Sequence, residues 1–214
     1  MEPKIKHLEK DVSQESKSFG EKLEEAGYIF VGDVWEELVK ELQAKIGRMV
    51  RHGTKITLLI DSGGGIFQPT QSLIETIRLM GIEIDGIVIG RCYSMAIPLL
   101  LACKRRLAIP SARFFFHDTS VDSFKFKSGE PLEAILKRLR RFHGEVREQQ
   151  MIYDQFCAER MGVSVARIRT LTLAGERDRA YLCAKEAMAL GIVHEITKQK
   201  MIDAHSIVTG KKKR

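Results

Sequence analysis

Cysteine is scarce and unpatterned in this 214-residue chain: Cys92, Cys103, Cys157 and Cys183 form no CxxC pair and keep no Cys/His spacing. That argues against a zinc site, and a chain of this length needs no disulfide framework to hold a core. The four thiols are therefore expected to be reduced and mainly buried. Long apolar runs are missing too. The longest covers residues 96–103, ends at Lys104-Arg105-Arg106, and falls well short of the roughly 18 residues a spanning helix needs. The first residues, Met1-Glu2-Pro3-Lys4-Ile5-Lys6-His7, lack the apolar stretch of a secretory signal. A cytoplasmic protein with no membrane contact is expected. Phosphate-loop patterns, GxxxxGKS/T and GxGxxG, are absent, and no internal repeat is visible.

What is present is a basic α/β pattern. The net charge of +7 gathers at 104–106, in the 137–147 segment and in the tail Lys211-Lys212-Lys213-Arg214. Such clusters read first as solvated helix faces and a tail, so nucleic acid is not an expected partner. Residues 1–26 form a polar arm, with a short amphipathic helix near Phe19, Leu23 and Ala26. Short apolar strands at 28–31, 56–60, 84–89, 107–109 and 113–116 alternate with helical patterns at 34–50 and 67–80. That alternation predicts a layered α/β fold. A long charged helix with a sparse apolar stripe is expected over 132–161, then a small helix at 164–171, a loop, and a helix at 184–190.

Three segments carry residue types suited to chemistry. Ser94 follows a buried strand and Gly90, at a strand-to-helix turn, where an acyl-transfer nucleophile is well presented. Helix capping is the plainer role for a serine there. Asp61-Ser62-Gly63-Gly64-Gly65 also joins a strand to a helix. Its glycines allow a sharp turn and close approach to a ligand. His117 closes the strand Arg113-Phe114-Phe115-Phe116; a nucleophilic serine needs such a base, although structural histidines are commoner.

Together, Ser62-Gly63-Gly64-Gly65, Gly90…Ser94-Met95 and Pro110-Ser111-Ala112-Arg113…His117 resemble the proteolytic subunit of the Clp protease family. That family carries Ser-Pro-Gly-Gly, Gly-x-Ala-Ala-Ser-Met and Pro-x-x-Arg-x-x-x-His motifs. The resemblance spans about residues 28–118 and returns at 184–193. It implies a Clp-protease/crotonase-like layered spiral of strand-strand-helix units in residues 27–200. The 132–161 helix would be a projecting handle, and 201–214 a basic tail.

By the same resemblance Ser94 is the nucleophile and His117 the general base, with the backbone N–H groups of Gly65 and Met95 as the oxyanion hole. A strand after the glycine turn would pair with extended substrate. The third member falls on Asp178, one residue away from gapless counting back from Tyr181-Leu182-Cys183-Ala184. Asp118 is the rival, set aside because neighbouring strand residues point to opposite faces. Three departures stand out: Gly63 for the family's proline, and Cys92 and Tyr93 for small alanines, which should narrow the site.

The implied function is a serine endopeptidase acting on unfolded proteins or peptides inside a ring. The resemblance suggests a double heptamer, with an ATP-dependent unfoldase as partner and no cofactor. The alternatives are a catalytically weak structural paralogue in a mixed ring and, further off, a crotonase-type acyl-CoA enzyme.

Overall fold

The computed structural model describes residues 18–120, 125 and 127–197. Most of the N-terminal arm and the whole basic tail lie outside these residues. Among the described residues, seven strands and seven helices follow in the order α1 (Phe19–Glu25), β1 (Tyr28–Val31), α2 (Glu36–Arg51), β2 (Ile56–Ser62), α3 (Phe67–Leu79), β3 (Ile84–Tyr93), α4 (Ala96–Ala102), β4 (Arg105–Ala108), β5 (Arg113–Phe115), α5 (Leu132–Met161), α6 (Val165–Asp178), β6 (Leu182–Cys183), α7 (Ala184–Ala189) and β7 (Glu195–Ile196).

The sheet is mostly parallel, ordered β1-β2-β3-β4-β7, and β5 pairs with both β3 and β6. Its central strand divides its partners. The first half of β3 pairs with β4 from Asp85 to Val88, and its last residues, Arg91 to Tyr93, pair with β5. The β2–β3 register slips between Ile60 and Ser62, and there the Asp61 carboxylate accepts from the Arg91 main-chain N–H and guanidinium. A bulge of this kind bends a strand and re-aims its C-terminal end.

One face of the sheet carries the main core, in which Leu58, Ile60, Val88, Leu99, Leu100 and Phe114 are buried with apolar residues from α2, α3, α5 and α7. The other face carries a small cluster of Leu59, Ile87 and Leu107. Burial on both faces explains why these strands read as nearly continuous apolar runs. The layered α/β class expected from the alternation of strands and helices is the observed one.

The long helix α5 covers 30 residues, roughly 45 Å at 1.5 Å per residue. Its buried side chains all lie at or beyond Tyr153, so its first two thirds stand clear of the core. Two expectations need correction. Residues 172–177 are not a loop: α6 runs unbroken to Asp178, with Ile168, Thr172 and Gly175 at helical spacing on its buried face. Nor does a strand come after the glycine turn, since α3 begins at Phe67. Among the described residues no helix is long and apolar enough to cross a membrane. All four cysteines are free thiols, three of them buried.

Candidate active site

Because β3 and β5 run parallel with Tyr93 opposite Phe115, their C-terminal ends release the chain side by side. Ser94 is the first residue after β3, and its N–H donates to the Phe115 carbonyl at 3.0 Å. His117 comes two residues after β5. Both line one cavity of about 500 Å³, together with Gly64, Gly65, Phe67 and Met95.

Ser94 has φ 50°, a left-handed conformation that costs an L-residue about 1–2 kcal/mol. Such strain persists only where neighbours impose it. Here the Ser94 N–H is held by Phe115, and its carbonyl accepts from the Ile97 N–H at 3.0 Å. Capping is not its role, because the N-cap of α4 is Met95 and no side chain caps that helix. Pro98 is the third residue of α4, within the first turn, where its missing N–H is tolerated.

The glycine turn lies against this elbow. Gly64 has φ 105°, and a Cβ there would meet Ser94 Cβ at 2.6 Å, so only glycine fits. Neighbouring amides are consumed: Gly63 N–H donates to Asp33 Oδ1 at 2.6 Å, Gly64 N–H to Ser62 Oγ at 3.1 Å, and Ile66 N–H to the Val34 carbonyl at 2.9 Å. Among the described residues the N–H groups of Gly65 and Met95 have no acceptor. Two unspent donors thus border the cavity that Ser94 enters.

The His117 ring stacks on Phe115 at 5.8 Å between centroids, and its Nδ1 lies 2.7 Å from the Asp118 carbonyl oxygen. A carbonyl only accepts, so Nδ1 is the donor in this contact, and in the neutral imidazole that leaves Nε2 with the lone pair. Among the described residues the ring makes no hydrogen bond to the Ser94 hydroxyl. Among the described residues its nearest carboxylate is Glu176, with Oε1 at 4.0 Å. Asp178 is the last residue of α6, exposed, and makes no hydrogen bond or ion pair among the described residues. The fold therefore gathers Ser94, His117, Gly65 and Met95 and leaves Asp178 outside the cavity lining.

Glu176 was not legible while 172–177 read as a loop. The signal for it is Gly175, whose absent Cβ would collide with the Phe116 carbonyl oxygen and lets α6 close onto the end of β5. The two bulky departures do not narrow the site. Cys92 is fully buried, its thiol pushed well up by burial. Tyr93 packs on Phe115 and Tyr181 at 5.9 and 5.4 Å, and neither residue lines the cavity.

The family model for Clp protease matches residues 12–200. Relatives called ATP-dependent Clp protease proteolytic subunit 1 in Mycolicibacterium paratuberculosis and Rhodococcus jostii are each 26% identical, over 71% and 70% of this chain and 67% and 63% of their own length. The proteolytic subunit 2 of Corynebacterium jeikeium is likewise 26% identical, over 71% of this chain and 68% of its own. The chain thus spans about two thirds of the length of the curated relatives it matches. A family match over that extent of a fold of the implied class makes this chain a member of the Clp protease family, which supports a peptidase function.

Proposed function

We propose that this chain is a serine endopeptidase subunit. The observation that carries the reading is a strained serine and a histidine facing one cavity, beside two backbone donors without acceptors. Ser94 Oγ attacks a peptide carbonyl carbon while His117 Nε2 takes the hydroxyl proton. The carbonyl oxygen becomes an oxyanion between the Gly65 and Met95 N–H groups. Collapse breaks the C–N bond, His117 returns the proton to the departing amine, and water then cleaves the ester by the same steps in reverse. The chemistry is complete without a cofactor.

Asp178 is retained by family resemblance as the carboxylate that would stabilise the imidazolium, once the last turn of α6 brings it to the ring. The subunit is proposed to assemble as a ring, a double heptamer being the form the resemblance suggests. Substrates would be unfolded chains or peptides, with an ATP-dependent unfoldase as partner. Leu132, Leu139 and Met151 are exposed on the projecting α5, as suits a helix that meets another copy.

One observation favours a second reading, a catalytically weak structural paralogue: among the described residues no carboxylate is hydrogen-bonded to His117, and the ring makes no hydrogen bond to Ser94. Treating the assembled protein with a fluorophosphonate separates the two. A Ser94 adduct with matching peptide hydrolysis supports the peptidase. Absence of both, in protein that copurifies with an active subunit, supports the paralogue.

A further inference from the structure

We infer that Asp118 is a positioning residue for His117, acting through its main-chain carbonyl and locked in place by Arg169 and Glu176. The inference rests on the peptidase reading for its relevance, and on geometry for its content. Every polar group of Asp118 is occupied. Its carbonyl faces His117 Nδ1 at 2.7 Å, its N–H donates to Glu176 Oε1 at 3.0 Å, and its carboxylate Oδ1 accepts from the Arg169 guanidinium at 2.6 Å.

Arg169 is itself anchored. The same guanidinium nitrogen lies 3.4 Å from Asp154 Oδ2, and Asp154 is 3% exposed. Asp154 Oδ1 accepts from the Gln150 amide at 2.8 Å, and Gln150 Oε1 accepts from the Thr119 N–H at 2.6 Å. The peptide units after His117 are thereby held from both sides, by α6 through Arg169 and Glu176 and by α5 through Gln150. A buried carboxylate next to a guanidinium is a fixed anchor, because separating the pair leaves Asp154 uncompensated.

The consequence is a chosen tautomer. A free neutral imidazole is not committed to Nδ1–H, whereas a fixed carbonyl at Nδ1 commits it and keeps Nε2 available as the base. Asp118 therefore does without its carboxylate at the ring what the neighbouring-residue geometry forbids the carboxylate to do. A carboxylate from Asp178 would add charge at the same edge without changing the tautomer.

The test uses the full-length protein in its native assembly. Asp118→Ala and Arg169→Gln are compared with wild type by two measurements. The first is the saturating rate and the half-saturation concentration of fluorophosphonate labelling at Ser94. The second is the 15N spectrum of ring-labelled histidine in sedimented protein, with His117 assigned through His117→Gln. The wild-type spectrum is expected to show Nδ1–H, and both variants to gain Nε2–H signal. Their saturating rates should fall about 10- to 100-fold, the size expected when a reacting group is displaced by about 1 Å, with half-saturation unmoved. Asp118→Asn, which keeps an oxygen for Arg169, should fall in between. If Arg169→Gln does not fold, Asp118→Ala carries the test alone.

A wild-type ring already protonated at Nε2, or an unchanged tautomer in Asp118→Ala, overturns the inference whatever the labelling does. Wild type that never labels sinks the peptidase reading instead and leaves the tautomer measurement to decide this one.

Discussion

Gly64 lies against Ser94: a Cβ at position 64 would come 2.6 Å from Ser94 Cβ and 2.9 Å from the Tyr93 carbonyl oxygen. Both are backbone or near-backbone atoms that have no flexible end to swing away. With φ at 105° the position also excludes a relaxed side chain. Gly64→Ala is expected to lose about 1–3 kcal/mol of stability, the range for an imposed backbone outlier, and to lose Ser94 labelling altogether. Denaturant melts and fluorophosphonate labelling of the same sample check both outcomes.

Asp33 and Gly63 make a compensating pair. The proline that the Clp pattern carries in this turn has no N–H to satisfy, whereas Gly63 has one, and Asp33 Oδ1 accepts it at 2.6 Å. Asp33→Ala should cost about 1 kcal/mol, the net worth of an intramolecular hydrogen bond exchanged for one to water. In a Gly63→Pro background the same change should cost nothing. A double-mutant cycle on denaturation free energies reads the coupling directly. Equal costs in both backgrounds would mean that the hydrogen bond contributes nothing.

The order of elements and the serine and histidine positions were legible because they rest on local signals: apolar runs of strand length, Gly punctuation and motif spacing. The helix of residues 132–161 was equally plain from its charge and length. The features that escaped depend on contacts between distant segments. The continuation of α6 past Leu171 is set by Thr172 and Gly175 packing, with Gly175 pressed on the Phe116 carbonyl, and no residue near 172 announces it. Tyr93 looked obstructive beside Ser94, yet strand alternation turns it onto Phe115 and Tyr181. Asp118 was set aside for the direction of its side chain, when the group at the histidine is its carbonyl.

The proposed assembly through α5 is open to a test by charge insertion. Leu139 is 44% exposed on the part of the helix that stands clear of the core, so Leu139→Glu has little to disturb within one subunit. Light scattering is expected to report a smaller species, while far-UV circular dichroism stays unchanged. Full-size particles from this variant and from Met151→Glu together would remove α5 from the interface.

His194 should make stability fall on mild acidification. Burial chiefly, then the charges of Arg106 and Arg160, hold its imidazole below the ordinary 6.5, and its Nδ1 accepts the Arg106 main-chain N–H at 3.3 Å. Between the lowered and the ordinary value the unfolded chain binds more protons than the fold, so stability rises with pH there. The contribution is complete above 6.5 and is lost as pH drops through the lowered value. Urea midpoints measured from pH 7.5 down to about 5 should decline in wild type, and the decline should be shallower in His194→Asn. Parallel curves would assign the slope to other groups.

The strain at Ser94 offers a measurement that separates its conformation from its chemistry. Its φ of 50° penalises any residue with a Cβ, and glycine escapes that penalty while losing some entropy on folding. Ser94→Ala and Ser94→Gly remove the proposed nucleophile alike, so both should show no fluorophosphonate adduct and no peptide hydrolysis. Their stabilities should differ, with the glycine variant more stable than the alanine variant by about 1 kcal/mol. The comparison needs no activity, so it holds whether or not the subunit is a competent peptidase. An alanine variant at least as stable as the glycine one would mean that the elbow relaxes once the hydroxyl is gone, and that the Phe115 and Ile97 hydrogen bonds do not impose the turn.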